Sequence, residues 1–168
     1  MKKLLLIITL LSCNLSFADD IYCKVVGIID GHTIKCLTNA KKQIKVRLYQ
    51  IDAPKSKQAF GSKSRQALSD LVFNKDVLLE LHGKDKYRRT LGTIYFSQQV
   101  ECLGHPSFGY CVDPKGIDIS LEMINQGMAW YYPFAKKNEQ YKKAEEQARK
   151  NKVGLWANSN PIPPWEFK

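Results

Sequence analysis

The sequence has no apolar run long enough to cross a bilayer, the run at Leu4 to Leu11 being too short, so no transmembrane segment is expected. It has no C-x-x-C pair, which speaks against a cysteine-based zinc site. Internal repeats and low-complexity tracts are also missing, and no Pro/Gly-rich linker precedes the C-terminal tail. Acidic residues are scarce, 16 Asp and Glu against 26 Lys and Arg, for a formal net charge of +10. That excess points to a polyanionic partner such as nucleic acid, anionic lipid or lipopolysaccharide. A merely basic, soluble surface would have the same composition.

The short apolar run has a role of its own. Lys2 and Lys3 precede Leu4 to Leu11, and Ser16-Phe17-Ala18 puts small residues at the −3 and −1 positions. Residues 1–18 therefore read as a secretory signal cleaved after Ala18, with a periplasmic or secreted product. The same stretch also reads as a lipoprotein signal, Leu10-Leu11-Ser12-Cys13, with a lipid anchor on Cys13. Cleavage leaves about 150 residues and a charge of about +8, enough for one domain over residues 19–168 and too few for two. An exported chain keeps Cys23, Cys36, Cys102 and Cys111, an even set in an oxidising compartment. Pairing Cys23 with Cys36 and Cys102 with Cys111 closes two short excursions of the chain. A zinc site with His105 between Cys102 and Cys111 is the alternative.

The first half reads as strands. Tyr22 to Ile29 is β-branched and ends at the turn signal Asp30-Gly31, and Thr33 to Leu37 returns. Ile44, Val46 and Leu48 alternate with Lys45, Arg47 and Tyr49, so period two sends the first trio to a core and displays Arg47 on the other face. Helical spacing of Phe60, Ser64, Ala67, Leu68, Leu71 and Val72 predicts a helix over about 58–73. Val77 to Leu81 and Leu91 to Phe96 resume the strands, joined by the basic segment 82–89. Cys102 to Pro114 reads as an inserted loop. A second helix is expected after Ser120 as cap, stopping at Gly127, and a third from Asn138 to Lys152. The tail, with Trp165, is expected to lie pinned against the domain. The sum is an α+β chain, and short curled strands of this kind close most naturally into an OB-fold, a five-stranded β-barrel, here with three α-helices.

Three polar clusters fall at strand edges: Asp30-Gly31-His32-Thr33, Arg47 with Ile51-Asp52-Ala53-Pro54-Lys55, and Asp85-Lys86-Tyr87-Arg88-Arg89. The segments VVGIIDGHTIKC, KVRLYQIDAPKSKQAFGSKSRQAL, DKYRRTLGTIY and GIDISLEMINQGMAWYY, then YKKAEEQARKNKVGLW, follow one another in an order that resembles the signature blocks of the staphylococcal nuclease (thermonuclease) family. The resemblance covers nearly all of residues 19–168. It implies an OB barrel with three helices, and an endonuclease, a phosphodiester hydrolase acting on DNA and/or RNA. It further implies calcium with two arginines as the phosphate-holding apparatus; a monomer is expected. By position, Arg47 and Arg89 resemble the phosphate clamp. Asp52, Asp30 and Thr33 resemble the metal-side residues, and Tyr87 with Lys86 falls where the nucleotide is framed. Arginine suits the role, because its planar, permanently charged fork gives paired hydrogen bonds to phosphate oxygens.

Two positions depart from the family pattern. His32 stands where D-G-D-T has its second Asp, and Lys55 stands where the Glu after the Pro activates water. The first change removes a hard oxygen ligand that calcium favours; the second replaces a base by a cation. Asp52, Lys55, Arg47 and Arg89 sum to about +2, which a divalent ion would raise to about +4. Weak or absent calcium dependence is therefore expected. Three arrangements fit these residues. In one, metal-independent, Lys55 supplies the fixed positive charge and neutral His32 takes the water proton. In another, His32 and Asp52 hold zinc or manganese and Lys55 points away. In the third, a degenerate site binds nucleic acid without cutting it, with Trp130, Tyr131 and Tyr132 as stacking candidates.

Overall fold

The computed structural model describes residues 21–97 and 115–168. The expected signal at 1–18, the Cys13 anchor, the loop at 102–114, the Cys102–Cys111 pair and His105 lie outside the described residues. The chain order is β1 (Ile21–Asp30), β2 (Thr33–Thr38), β3 (Gln43–Leu48), β4 (Ile51–Asp52), α1 (Gly61–Val72), β5 (Asp76–Lys84) and β6 (Thr90–Phe96). β7 (Ile117–Asp118), α2 (Ile119–Asn125), β8 (Trp130–Tyr131), α3 (Glu139–Lys150) and a 3-10 turn at Gly154–Ala157 complete it.

Alternation along the strands sets the barrel. In β3, Val46 and Leu48 are fully buried while Lys45 is exposed, as period two requires. β1, β2 and β3 form an antiparallel meander, and β5 pairs with β1 and β6. β3 and β6 then pair in parallel, Val46 opposite Thr90 and Arg47 opposite Leu91, which closes β3-β2-β1-β5-β6 into a five-stranded barrel. Register shifts in β1, between Val25 and Gly27 and between Ile28 and Asp30, curl the strand enough to close it. The β3–β6 pairing brings the strand carrying Arg47 beside the start of the strand that follows Arg89.

Val25, Ile34, Leu48, Leu68, Leu79, Ile94, Met123 and Ile124 fill the main core at 0% exposure. Cys23 and Cys36 join across β1 and β2 inside it, with Cα atoms 5.6 Å apart, the pairing expected from the sequence. A smaller cluster of Trp130, Ala148, Leu155 and Trp156 lies under α3, with Phe60 and Trp165 packed against it. The Trp165 tail is therefore pinned as expected. No helix among the described residues is long and apolar enough to cross a membrane.

Element ends moved for identifiable reasons. α1 begins at Gly61 rather than near Gln58, because residues 55–58 form a turn in which Gln58 N–H donates to Lys55 O and Gln58 Oε1 accepts from Lys55 N–H. Phe60 then takes a left-handed φ of 66°, and a Cβ on Gly61 would collide with the Lys55 carbonyl. α2 is capped by Asp118, whose carboxylate accepts the Leu121 N–H at 3.1 Å, and not by Ser120, which is buried inside the helix. α3 starts at the expected cap, Asn138, whose side chain accepts from the Gln140 and Tyr141 amides, and ends two residues early at Lys150.

Candidate active site

The barrel mouth gathers the first turn, the β4 strand and the β5–β6 turn. Gly31 is the residue that lets them meet: a Cβ there would overlap the Ser64 hydroxyl and come within 2.8 Å of the Ala53 side chain. Ser64 is itself fixed by donating to the Met128 carbonyl at 2.6 Å. The Asp30 carboxylate accepts the His32 N–H at 2.9 Å, and the His32 carbonyl accepts the Leu48 N–H at 2.8 Å. His32 is thus held from both sides of its backbone. Thr33 follows as a buried residue paired with Arg47 across β2 and β3.

The His32 ring stands between two carboxylates. Its Nδ1 is 3.5 Å from Asp30 Oδ1 and its Nε2 is 3.5 Å from Asp52 Oδ1. The Ala53 N–H donates to Nδ1 at 3.2 Å, so the ring proton sits on Nε2, facing Asp52. Burial pushes the His32 pKa below its ordinary value of 6.5; Asp30 and Asp52 pull upward, and Arg47 and Arg89 add to the lowering. The imidazole is neutral near pH 7, with both nitrogens engaged. The expectation that His32 accepts a water proton is corrected by this geometry, because neither nitrogen presents a free lone pair.

Arg47 is 11% exposed and donates from Nη2 to Asp52 Oδ1 at 3.2 Å and from Nη1 to the Leu48 carbonyl at 3.4 Å. Its Nε is buried with no partner among the described residues, and its guanidinium lies 5.6 Å from the centre of the Tyr132 ring. Arg89 is organised by Asp85. One Asp85 oxygen accepts the Tyr87 and Arg89 amides at 2.9 Å each, and the other accepts Arg89 Nε at 2.6 Å. Burial opposes the charged form of Asp85, but these Arg89 and Tyr87 donors outweigh it and hold the carboxyl below its usual range. Tyr87 lies on the outer side of the turn, 68% exposed, with the Arg89 guanidinium 5.4 Å and the Lys86 ammonium 5.1 Å from its ring centre. Arg47, Arg89, Tyr87, Lys86 and Tyr132 line one cleft of about 480 Å³.

Lys55 is not brought to this group. Its Nζ donates to the Phe167 carbonyl at 2.8 Å, so the C-terminal tail holds it, and the expectation that it supplies positive charge beside the phosphate is corrected. The site tally falls with it. Arg47, Arg89 and Asp52 leave about +1, and the flanking Asp30 and Asp85 bring the mouth to about −1. Charge alone no longer argues against a cation; geometry does. The His32 ring fills the space between the Asp30 and Asp52 carboxylates, and an imidazole is a poor substitute for a calcium oxygen ligand. Among the described residues no group of three or more His, Cys, Asp or Glu side chains is arranged to hold a metal ion. The residues present do not fit calcium.

Other residues of the site were not singled out from the sequence. Gln50, buried at a left-handed φ of 61°, donates from its side chain to the Lys136 carbonyl at 2.7 Å and accepts from Asn138 Nδ2 at 3.0 Å. It ties the 132–138 loop to the mouth. A lone polar residue between two strands gives no sequence signal of such a tie. Of the stacking candidates, Trp130 is buried in the core at 5%, whereas Tyr132 faces the cleft.

The staphylococcal nuclease homologue family model matches residues 45–158. A Haemophilus influenzae protein described as an uncharacterized endonuclease is 43% identical over 169 residues, spanning 100% of this chain and 83% of the relative. The micrococcal nuclease of Shigella flexneri is 38% identical over 155 residues, spanning 89% of this chain and 81% of its own length. Protein ParB of Escherichia coli is 38% identical over 147 residues, spanning 86% and 77% respectively. With its barrel, its three helices and its paired arginines at one mouth, this chain belongs to the staphylococcal nuclease homologue family.

Proposed function

We propose that this chain is an exported endonuclease that hydrolyses phosphodiester bonds in DNA and/or RNA, with the scissile phosphate held by Arg47 and Arg89 and without calcium. The observation that carries the reading is the convergence of both guanidiniums on one aromatic-walled cleft, each ordered by its own aspartate. Fixed donors of this kind stabilise charge that grows on phosphorus without reorganising during the reaction. The unpartnered Arg47 Nε supports an anionic ligand, because a buried donor without an acceptor costs about 1–3 kcal/mol. Export is supported by the disulfide and by the expected leader.

The homologues described as nucleases support phosphodiester chemistry. The two changed positions bear on how it proceeds. With His32 engaged at both nitrogens and Lys55 held by the tail, transition-state charge stabilisation by the two arginines is the chemistry this mouth retains. Slow, metal-independent hydrolysis follows from that. A second reading, a barrel that binds nucleic acid without cutting it, is favoured by the same engagement of His32.

Purified protein incubated with single- and double-stranded DNA and RNA, in EDTA or in calcium, separates these readings. Cleavage in EDTA is expected. Cleavage only with calcium would overturn the metal-free reading, and binding without cleavage under every ion would leave the binding module.

A further inference from the structure

The excess of positive charge is not spread evenly over the strands. β1, β2 and β3 together hold one acidic residue, Asp30, and it lies at the mouth. On the outer face of the β2–β3 hairpin, Lys35 and Lys45 stand directly opposite one another, and both are exposed. Opposite residues of an antiparallel pair have Cβ atoms about 5 Å apart, and like charges there are destabilising. Among the described residues neither ammonium has an ion-pair partner. The hairpin therefore carries a like-charge pair that none of these residues offsets.

The pair is in line with the phosphate clamp. Lys45 precedes Arg47 by two residues on β3, so both side chains leave the same face of the strand, about 7 Å apart along it. Lys35 lies over β1: a Cβ on Gly27, its partner in that strand, would come within 3.3 Å of the Lys35 Cδ. The apolar stem rests on the sheet, and the charge is presented from a rigid strand. Beyond the pair, Lys41 and Lys42 are exposed in the connection between β2 and β3. Cations thus run from the mouth to the far end of the hairpin. From Gln43 to Arg47 the strand covers about 13 Å, room for more than one nucleotide unit.

We propose that Lys35 and Lys45 form a second phosphate site, which takes the phosphates flanking the one held by Arg47 and Arg89 as a single strand leaves the mouth along the β2–β3 hairpin. This rests on the phosphate-clamp reading above. Continuity with Arg47 selects a nucleic-acid strand over an anionic lipid surface, because the next phosphate of a strand held there falls within reach of Lys45. Such contacts read the backbone, so they are independent of sequence and sensitive to salt.

The test compares two fluorescent thymidylate oligomers with phosphorothioate linkages, which resist hydrolysis, in EDTA. A dimer reports the clamp alone, and an octamer reports the clamp and the track. The double variant Lys35→Gln, Lys45→Gln is expected to bind the octamer about tenfold more weakly and the dimer unchanged, with the salt slope for the octamer reduced by about 1.4, or about 0.7 per lost phosphate contact. Its melting temperature should be no lower than the parent's, since the opposed charges are gone. Arginine at both positions should keep octamer affinity. Lys143→Gln, Lys150→Gln on α3 removes the same charge and should leave both oligomers unaffected. Equal losses in the two double variants, equal losses on dimer and octamer, or no loss on the octamer would overturn the proposal. So would phosphatidylglycerol vesicles that lose binding with Lys35 and Lys45 while the octamer does not. Failure of the unaltered chain to bind the dimer would overturn the clamp reading, and the track with it.

Discussion

His32 turns its Nε2 toward Asp52 at 3.5 Å while its Nδ1 accepts the Ala53 amide proton, so one neutral ring links the turn before β2 to the strand β4. The ring occupies the space between the Asp30 and Asp52 carboxylates. Family members with Asp at this position would leave that space open to a cation.

Restoring the family residues should therefore create a calcium site. The double variant His32→Asp, Lys55→Glu is expected to gain thermal stability on addition of calcium, by about 2.7 kcal/mol once the ion exceeds its dissociation constant a hundredfold. The unaltered chain should unfold at one temperature in EDTA and in millimolar calcium. A calcium-dependent rise in the unaltered chain would show that the His32 ring does not keep the ion out.

The Cys23–Cys36 bond closes a short loop, with a sequence separation of 13. Constraint of the unfolded chain by such a loop is worth about 3 kcal/mol. Replacing both cysteines by alanine should lower the urea-unfolding free energy by roughly 2–4 kcal/mol, with the denaturant slope little changed. An unchanged midpoint would contradict this contribution of the bond.

A pH effect follows from Asp118, which caps α2 and accepts the Tyr141 hydroxyl at 2.6 Å. Burial raises its pKa above the ordinary 3.8, against the lowering by its hydrogen bonds from Tyr141 and the Leu121 and Ser120 amides. The folded carboxyl then keeps its proton to a higher pH than the unfolded one. Its contribution to stability falls as pH rises through the window just above 3.8 and is level beyond the folded value. Asp118→Asn cannot titrate, so its stability relative to the parent should be higher near pH 7 than near pH 4. A difference that does not change between those conditions would contradict the assignment.

How much of this was readable in advance depends on distance along the chain. The alternation of Ile44, Val46 and Leu48, the Asp30-Gly31 turn and the apolar stripe of α1 are local patterns, and each predicted its element. The Cys23–Cys36 pair was legible because both cysteines flank one hairpin. Arg47 and Arg89 were legible as a pair through family order, but their meeting depends on the parallel β3–β6 register, which no local pattern encodes. Lys55 was misplaced for the same reason. Its direction is set by a carbonyl 112 residues away, so a charge count along the sequence put it in the wrong place. The capping of α2 by Asp118 rather than Ser120 turned on which of two polar residues, one on each side of Ile119, stays extended, a choice made by the β6–β7 pairing.

Under the proposal, Arg47 and Arg89 stabilise the charge that grows on phosphorus and calcium is not needed. The rate of cleavage of labelled single-stranded DNA and RNA in EDTA, for the unaltered chain beside Arg89→Ala, tests it most directly. Cleavage by the unaltered chain in EDTA is expected, with a loss of at least ~100-fold in the variant, the scale of one lost transition-state donor. Equal rates for the two proteins, or cleavage by the unaltered chain that appears only with calcium, would contradict it.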